Sequence, residues 1–201
     1  MATMIYVMRH GESNVNVERK IKCKLRDGDL TENGRLQAQQ AADWLADKKI
    51  DRIYASPFDR AQQTAQVIGD HLGLDINTLD GLAENDCGGF EGRTDMDAWK
   101  AWGRIFDRWL NGEWEARFPE GESYREAYDR FLGALMTAKP DENTLMVTHG
   151  GITRAVVPYL CVNAAALQRV LSTGYTGFIL LEPYDLGRFE CVAWGLEEHL
   201  L

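Results

Sequence analysis

The chain has 201 residues, 45% of them hydrophobic and 26% charged, a composition that suits one sizeable hydrophobic core and is short for two. Its net charge of -9 excludes a broad basic surface for nucleic acid or anionic lipid, so an anionic small molecule would need a local positive pocket. No apolar run approaches a membrane span and the N-terminus lacks a signal peptide's basic-then-apolar layout, which makes the cytoplasm the expected location.

In chain order, Met4 to Met8 reads as a buried strand. Ala38, Ala41, Ala42 and Leu45 then recur at helical spacing, with Thr31 as N-cap. A short strand at Ile53-Tyr54-Ala55 precedes Pro57 and a second helical stripe of Ala61, Ala65, Ile68 and Leu72, closed by Gly73. Ile76 to Leu79 reads as a strand and Asp95 to Leu110 as a helix. Tyr124, Tyr128, Phe131 and Leu135 mark another helix, and Thr144 to Thr148 another buried strand. A short helix near Ala164 to Leu171 and two strands, Tyr175 to Leu181 and Phe189 to Trp194, complete the chain. Strands alternating with helices imply a mostly parallel sheet covered on both faces, and the final pair adds at least one antiparallel strand. Residues 1–201 form one domain on this reading. Cys23, Cys87, Cys161 and Cys191 show no C-x-x-C pair, so four free thiols are expected and neither a zinc ribbon nor a thioredoxin motif is available.

In such sheets ligands bind beyond the carboxyl ends of the strands. The first strand is followed by Arg9 and His10, the second by "SPFDRAQQTA" with Arg60, the third by "LAENDCGGFEG" with Glu84, and the strand ending at Thr148 by His149-Gly150-Gly151. These exits bring two imidazoles, two guanidiniums and a carboxyl group to one rim. Arg9 and Arg60, with Asn16 and the backbone N–H groups near Gly150, suit a tetrahedral oxyanion such as phosphate. An imidazole nucleophile and an acid that protonates the leaving oxygen are what phosphoryl transfer through a covalent intermediate requires, and no metal or cofactor is called for.

The ordered motifs "RHGES" with Asn16, "LTENGRLQA", "SPFDRAQQTA", Glu84 in "ENDCGGFEG", "FPEGES" and "VTHGG" resemble the histidine phosphatase superfamily, in the branch that includes phosphoglycerate mutase-like phosphatases. The resemblance implies a three-layer α/β/α sandwich, with a helical segment at about residues 90–125 covering the pocket. It implies that His10 becomes phosphohistidine, that Arg9, Asn16, Arg60 and Gly150 hold the phosphoryl oxygens, that His149 stabilises the transferring group, and that Glu84 serves as general acid and base. Glu91 and Asp86 compete with Glu84 for the acid's place. Glu12 is expected to make a supporting hydrogen bond, and His71 and His199 have no motif around them.

Cys87 and Phe90 stand where related phosphatases often carry other residues, which bears on the substrate cavity. The basic run Arg19, Lys20, Lys22, Lys24 and Arg26 is either a solvated loop or a rim that attracts anions. Trp99, Trp102, Trp109 and Trp114 divide between packing and a substrate wall. The expected activity is metal-independent phosphomonoester hydrolysis of a small phosphorylated substrate by a monomer or homodimer that engages neither nucleic acid nor membrane. The alternatives are a mutase-type phosphotransferase and a non-catalytic phospho-ligand binder. Mutases of this family typically carry a longer insertion after the first motif and an Arg-rich stretch after the glutamate, so the short spacing from His10 to Thr31, and Arg93 as the only basic residue in "NDCGGFEGR", make the resemblance imply the phosphatase branch.

Overall fold

Successive side chains of a strand point to opposite faces, and the first strand buries both. β1 (Ile5–Arg9) sends Ile5 and Val7 into one apolar cluster and Tyr6 and Met8 into a second. This explains why its sequence is a continuous apolar run and not an alternating one. The computed structural model describes residues 3–23, 28–139, 141–163, 173–185 and 187–200. The other strands are β2 (Arg52–Ala55), β3 (Ile76–Thr78), β4 (Thr144–Thr148), β5 (Phe178–Asp185) and β6 (Arg188–Leu196). They form one sheet of order β3-β2-β4-β1-β5-β6. β1 to β4 are mutually parallel, with Val7 beside Met146 and Arg9 beside Thr148, whereas β5 runs antiparallel to both β1 and β6.

After β1 comes a single turn, α1 (Asn14–Val17). α2 (Glu32–Leu45) and α3 (Asp59–Leu72) cover the Tyr6/Met8 face through small residues, Ala41, Ala42, Ala61 and Ala65, joined by Leu45 and Ile68. α4 (Met96–Leu110), α5 (Tyr124–Leu135) and α6 (Gly150–Leu160) cover the other face. The result is the three-layer arrangement expected. Side chains cap the helix starts where the sequence places them: Thr31 accepts from the Gly34 N–H, Asp95 from the Ala98 N–H, and Ser123 pairs reciprocally with Glu126. Within residues 90–125, α4 supplies the helix and the remainder runs in turns to α5. The helix expected near residues 164–171 lies outside the described residues.

One expectation is overturned. Cys23 and Cys87 are joined in a disulfide, with Cα atoms 6.1 Å apart, while Cys161 and Cys191 are free and buried. The two partners are 64 residues apart, so only the meeting of two loops beyond the sheet makes them neighbours. Among the described residues no helix is long and apolar enough to cross a membrane.

Candidate active site

The turn after β1 is fixed from below. His10 N–H donates to the Thr148 carbonyl at 2.9 Å and Gly11 N–H to Thr64 Oγ1 at 3.0 Å. A Cβ on Gly11 would meet the Gly34 carbonyl oxygen at 2.6 Å, and one on Gly34 would collide with the Glu12 carbonyl. The "LTENGR" stretch is therefore a packing partner of "RHGE", and neither glycine tolerates a side chain. Glu12, expected to make a supporting hydrogen bond to the pocket, instead accepts from Thr31 Oγ1 at 2.7 Å, away from the residues that line the cavity.

His10 is 3% exposed. Its Nδ1 lies 2.7 Å from the Gly11 carbonyl oxygen, which can only accept, so the ring proton sits on Nδ1. Nε2 keeps its lone pair and receives Arg60 Nε–H at 3.1 Å. Burial, then the charges of Arg60 and Arg9, hold the ring's pKa well below the ordinary histidine value. His149 lies with its ring 5.1 Å from that of His10 and its Nε2 2.7 Å from Ser56 Oγ. Burial and the Arg60 charge depress its pKa in the same way.

Arg60 is 3% exposed, and burial draws its pKa down to about 10, which leaves it charged at neutral pH. Its Nη2 donates to the Lys22 carbonyl at 3.4 Å. Arg9 donates through Nη1 to the Thr173 carbonyl at 2.9 Å and lies 4.2 Å above the Tyr175 ring. Asn16 Oδ1 accepts from Ser13 N and Oγ, so its Nδ2 is the donor available to a ligand. Glu84 sits at the start of α6, where its carboxylate accepts from Gly151 N at 3.0 Å, Ile152 N at 2.7 Å and Asn85 N at 3.0 Å. A Cβ on Gly151 would lie 2.7 Å from both Glu84 Oε1 and Asn85 Oδ1, so only glycine admits this seat.

Arg9, His10, Asn16, Arg60, Glu84 and Gly150 all line one cavity of about 300 Å³, and His149 lies just behind His10. Nine buried side-chain polar atoms lack a partner among the described residues. Six of them belong to residues lining this cavity: Arg9 Nε, Arg60 Nη1, Asn85 Nδ2, Trp102 Nε1, Arg154 Nε and Thr173 Oγ1. Natural proteins leave few such groups unpaired, so this cluster is where water or a polar ligand would be received.

The sequence profile of the histidine phosphatase superfamily (branch 1) matches residues 5–197. The chain belongs to this superfamily. It is 33% identical over 202 residues to phosphoglycerate mutase-like protein 4 of Arabidopsis thaliana, covering 98% of this chain and 86% of that one. Identity is 30% over 169 residues to the uncharacterized phosphatase PhoE of Bacillus subtilis, covering 83% and 81%. The mycobacterial glucosyl-3-phosphoglycerate phosphatase solved with VO3 superposes with a TM-score of 0.79 at 27% identity, covering 97% of this chain and 100% of that one. The protein is thus an enzyme of the histidine phosphatase type.

Beyond the shared motifs, this histidine phosphatase divides its tryptophans clearly. Trp99 and Trp102, one helical turn apart on α4, line the cavity with Phe106, whereas Trp109 is buried with its Nε1 on the Ala116 carbonyl and Trp114 packs on Tyr124 and Tyr128. Of the basic run, Lys20 and Lys22 line the cavity, and Lys24 and Arg26 lie outside the described residues. Glu91 and Asp86, the competitors of Glu84, are engaged elsewhere: Glu91 accepts from Cys23 N, and Asp86 from Gly88 N.

Arg154 and Asn85 are site residues that the motif reading passed over. Arg154 stands one turn beyond Gly150 on the same face of α6, a spacing that could have flagged it. Arg130 of α5 is a third omission. It donates to the carbonyls of Gly81, Ala83 and Glu84 and to Glu122, which in turn accepts from Asp86 N, so "FPEGES" serves to hold the Glu84 loop. Among the described residues the only three-membered cluster with metal-ligand spacing is Cys23, Cys87 and Glu91, whose sulfurs are bonded to each other.

Proposed function

We propose that the protein is a metal-independent phosphomonoesterase acting through a phosphohistidine on His10. The observation that carries this reading is the ring of unpartnered donors, Arg9 Nε and Arg60 Nη1 foremost, in the cavity that also holds His10 with its Nε2 lone pair. A phosphoryl group entering there satisfies them, and Arg60 Nε–H transfers from Nε2 to a phosphoryl oxygen. His10 Nε2 then bonds to phosphorus while the ester P–O bond breaks. Glu84 gives its proton to the departing alcohol oxygen and later takes one from the water that hydrolyses the P–N bond, releasing inorganic phosphate. Protonation makes one Glu84 oxygen a donor as well and a weaker acceptor of its N–H partner. Asn16 and Gly150 complete the cradle, and with Ser56 donating to His149 Nε2, the unpartnered His149 Nδ1 supplies a further N–H for the equatorial charge.

The alcohol portion faces Trp99, Trp102 and Phe106, with Arg154 nearby, which fits a small phosphorylated metabolite bearing a further acidic group. The glucosyl-3-phosphoglycerate named for the mycobacterial relative has this character. A mutase needs strong cationic hold on a doubly phosphorylated intermediate. Here Arg93, the basic residue that follows Glu84, is paired with Asp95 at 2.8 Å and does not line the cavity, whereas Lys20, Lys22 and Arg154 do, so the products decide between the two readings. 3-Phosphoglycerate, if turned over, is expected to give inorganic phosphate, and 2,3-bisphosphoglycerate should not stimulate isomerisation. Phosphorus NMR of the mixture decides, since accumulation of 2-phosphoglycerate would establish the mutase reading. Enzyme quenched in alkali, which preserves the P–N bond, should carry label on His10, His10→Ala should lose nearly all turnover while staying folded, and activity should survive exhaustive chelation.

A further inference from the structure

The Cys23–Cys87 disulfide joins the two segments that frame the cavity. Cys23 lines the cavity and follows Lys22, whose carbonyl accepts from Arg60, itself bonded to His10. Cys87 stands on the loop that carries Glu84 and Asn85. The same two segments also meet through Ile21 N–H to the Arg93 carbonyl at 2.9 Å, Gly92 N–H to the Ile21 carbonyl at 2.7 Å, and Cys23 N–H to Glu91 Oε2 at 2.7 Å. Glu91 Oε2 lies 3.7 Å from Cys87 Sγ. A covalent change at the sulfurs therefore reaches the nucleophile's guanidinium partner on one side and the acid's loop on the other. Cys87 is fully buried, whereas Cys23 is 7% exposed and lines the cavity, so the cavity is the side from which a reductant would approach the pair.

We propose that Cys23 and Cys87 form a dithiol–disulfide modification site that sets the activity of the neighbouring phosphatase centre, the disulfide being the more active form. In exchange with a small dithiol, a reductant thiolate attacks Cys23 Sγ, the protein S–S bond breaks, and Cys87 departs as a thiolate and is protonated. The second reductant thiol then displaces Cys23 and closes a cyclic disulfide, so two electrons and two protons have passed to the protein. The Glu91 carboxylate beside Cys87 disfavours the departing thiolate, which slows reduction. In the dithiol form the 21–23 segment keeps its backbone bonds to residues 91–93 but loses its covalent tie. The cavity wall and the Lys22 carbonyl then hold Arg60 and the substrate's organic portion less firmly, an effect expected mainly on KM.

The inference rests on the phosphatase reading for its activity readout. The full chain is equilibrated in graded mixtures of reduced and oxidised dithiothreitol, alkylated and mapped by mass. Hydrolysis of p-nitrophenyl phosphate and affinity for orthovanadate are measured at each poise. Cys23 and Cys87 should become alkylated together at one midpoint, kcat/KM should fall several-fold at that same midpoint, and reoxidation should restore it. Cys87→Ser should sit at the reduced level throughout, and a Cys161→Ser/Cys191→Ser double variant should respond like the wild type. Kinetics unchanged while the pair is shown to be reduced, or both thiols free under oxidising conditions, would overturn the proposal. If no phosphomonoester is hydrolysed at any poise, the phosphatase reading fails. Vanadate affinity shifting at the thiol midpoint would then still support the switch, and affinity blind to the poise would defeat it.

Discussion

In the proposed mechanism, the bond from His10 Nδ1–H to the Gly11 carbonyl leaves Nε2 as the attacking nitrogen, and the surrounding burial and guanidinium charge favour its neutral form. Because the pKa of His10 is held below the ordinary histidine value of about 6.5, its neutral form persists into acid. kcat/KM for p-nitrophenyl phosphate, which reports the free enzyme, should therefore hold as pH falls through the usual histidine range and decline only below it. An acidic limb centred on the ordinary histidine value would mean that the ring is solvated. For Glu84, the proposed role as proton donor separates substrates by leaving group. Glu84→Gln should reduce turnover of alkyl phosphates by about 100-fold or more, and that of p-nitrophenyl phosphate far less, since nitrophenolate departs with little protonation. Equal losses on both substrates would remove Glu84 from the acid's role.

At the level of elements, the start of α6 is sensitive to a single methyl group. Gly151→Ala places a Cβ against Glu84 Oε1 and Asn85 Oδ1, and the carboxyl group has to shift. The fold should survive, with kcat falling by up to about 100-fold and the same leaving-group dependence as Glu84→Gln. A fully active Gly151→Ala enzyme would show that the observed seat of Glu84 is unnecessary. The strands that deliver these residues were legible because burial on both faces writes itself as the runs at Ile5 to Met8 and Thr144 to Thr148. The polar residues at the strand exits then stand out by contrast. What pattern could not show is contact between segments far apart in sequence: the pairing of Cys23 with Cys87, the grip of Arg130 on the Glu84 loop, or the division of Trp99 and Trp102 from Trp109 and Trp114. Trp102 reaches the cavity wall while Trp109 is enclosed.

For the whole molecule, two apolar layers flank the sheet and one covalent link ties loops beyond its edge. A loop closed across the 64-residue separation of Cys23 and Cys87 should stabilise the fold by at most about 4 kcal/mol. Reduction should then lower Tm by up to about 16 °C, and Cys87→Ser should match it; a Tm indifferent to reductant would show that the link constrains the unfolded chain little. The donors that line the cavity carry a different consequence. They cannot distinguish a phosphate that is arriving on an ester from one that has already been set free. Orthophosphate should therefore raise Tm and inhibit competitively, and sulfate should imitate it more weakly, so that turnover follows the balance between ester and free phosphate around the enzyme.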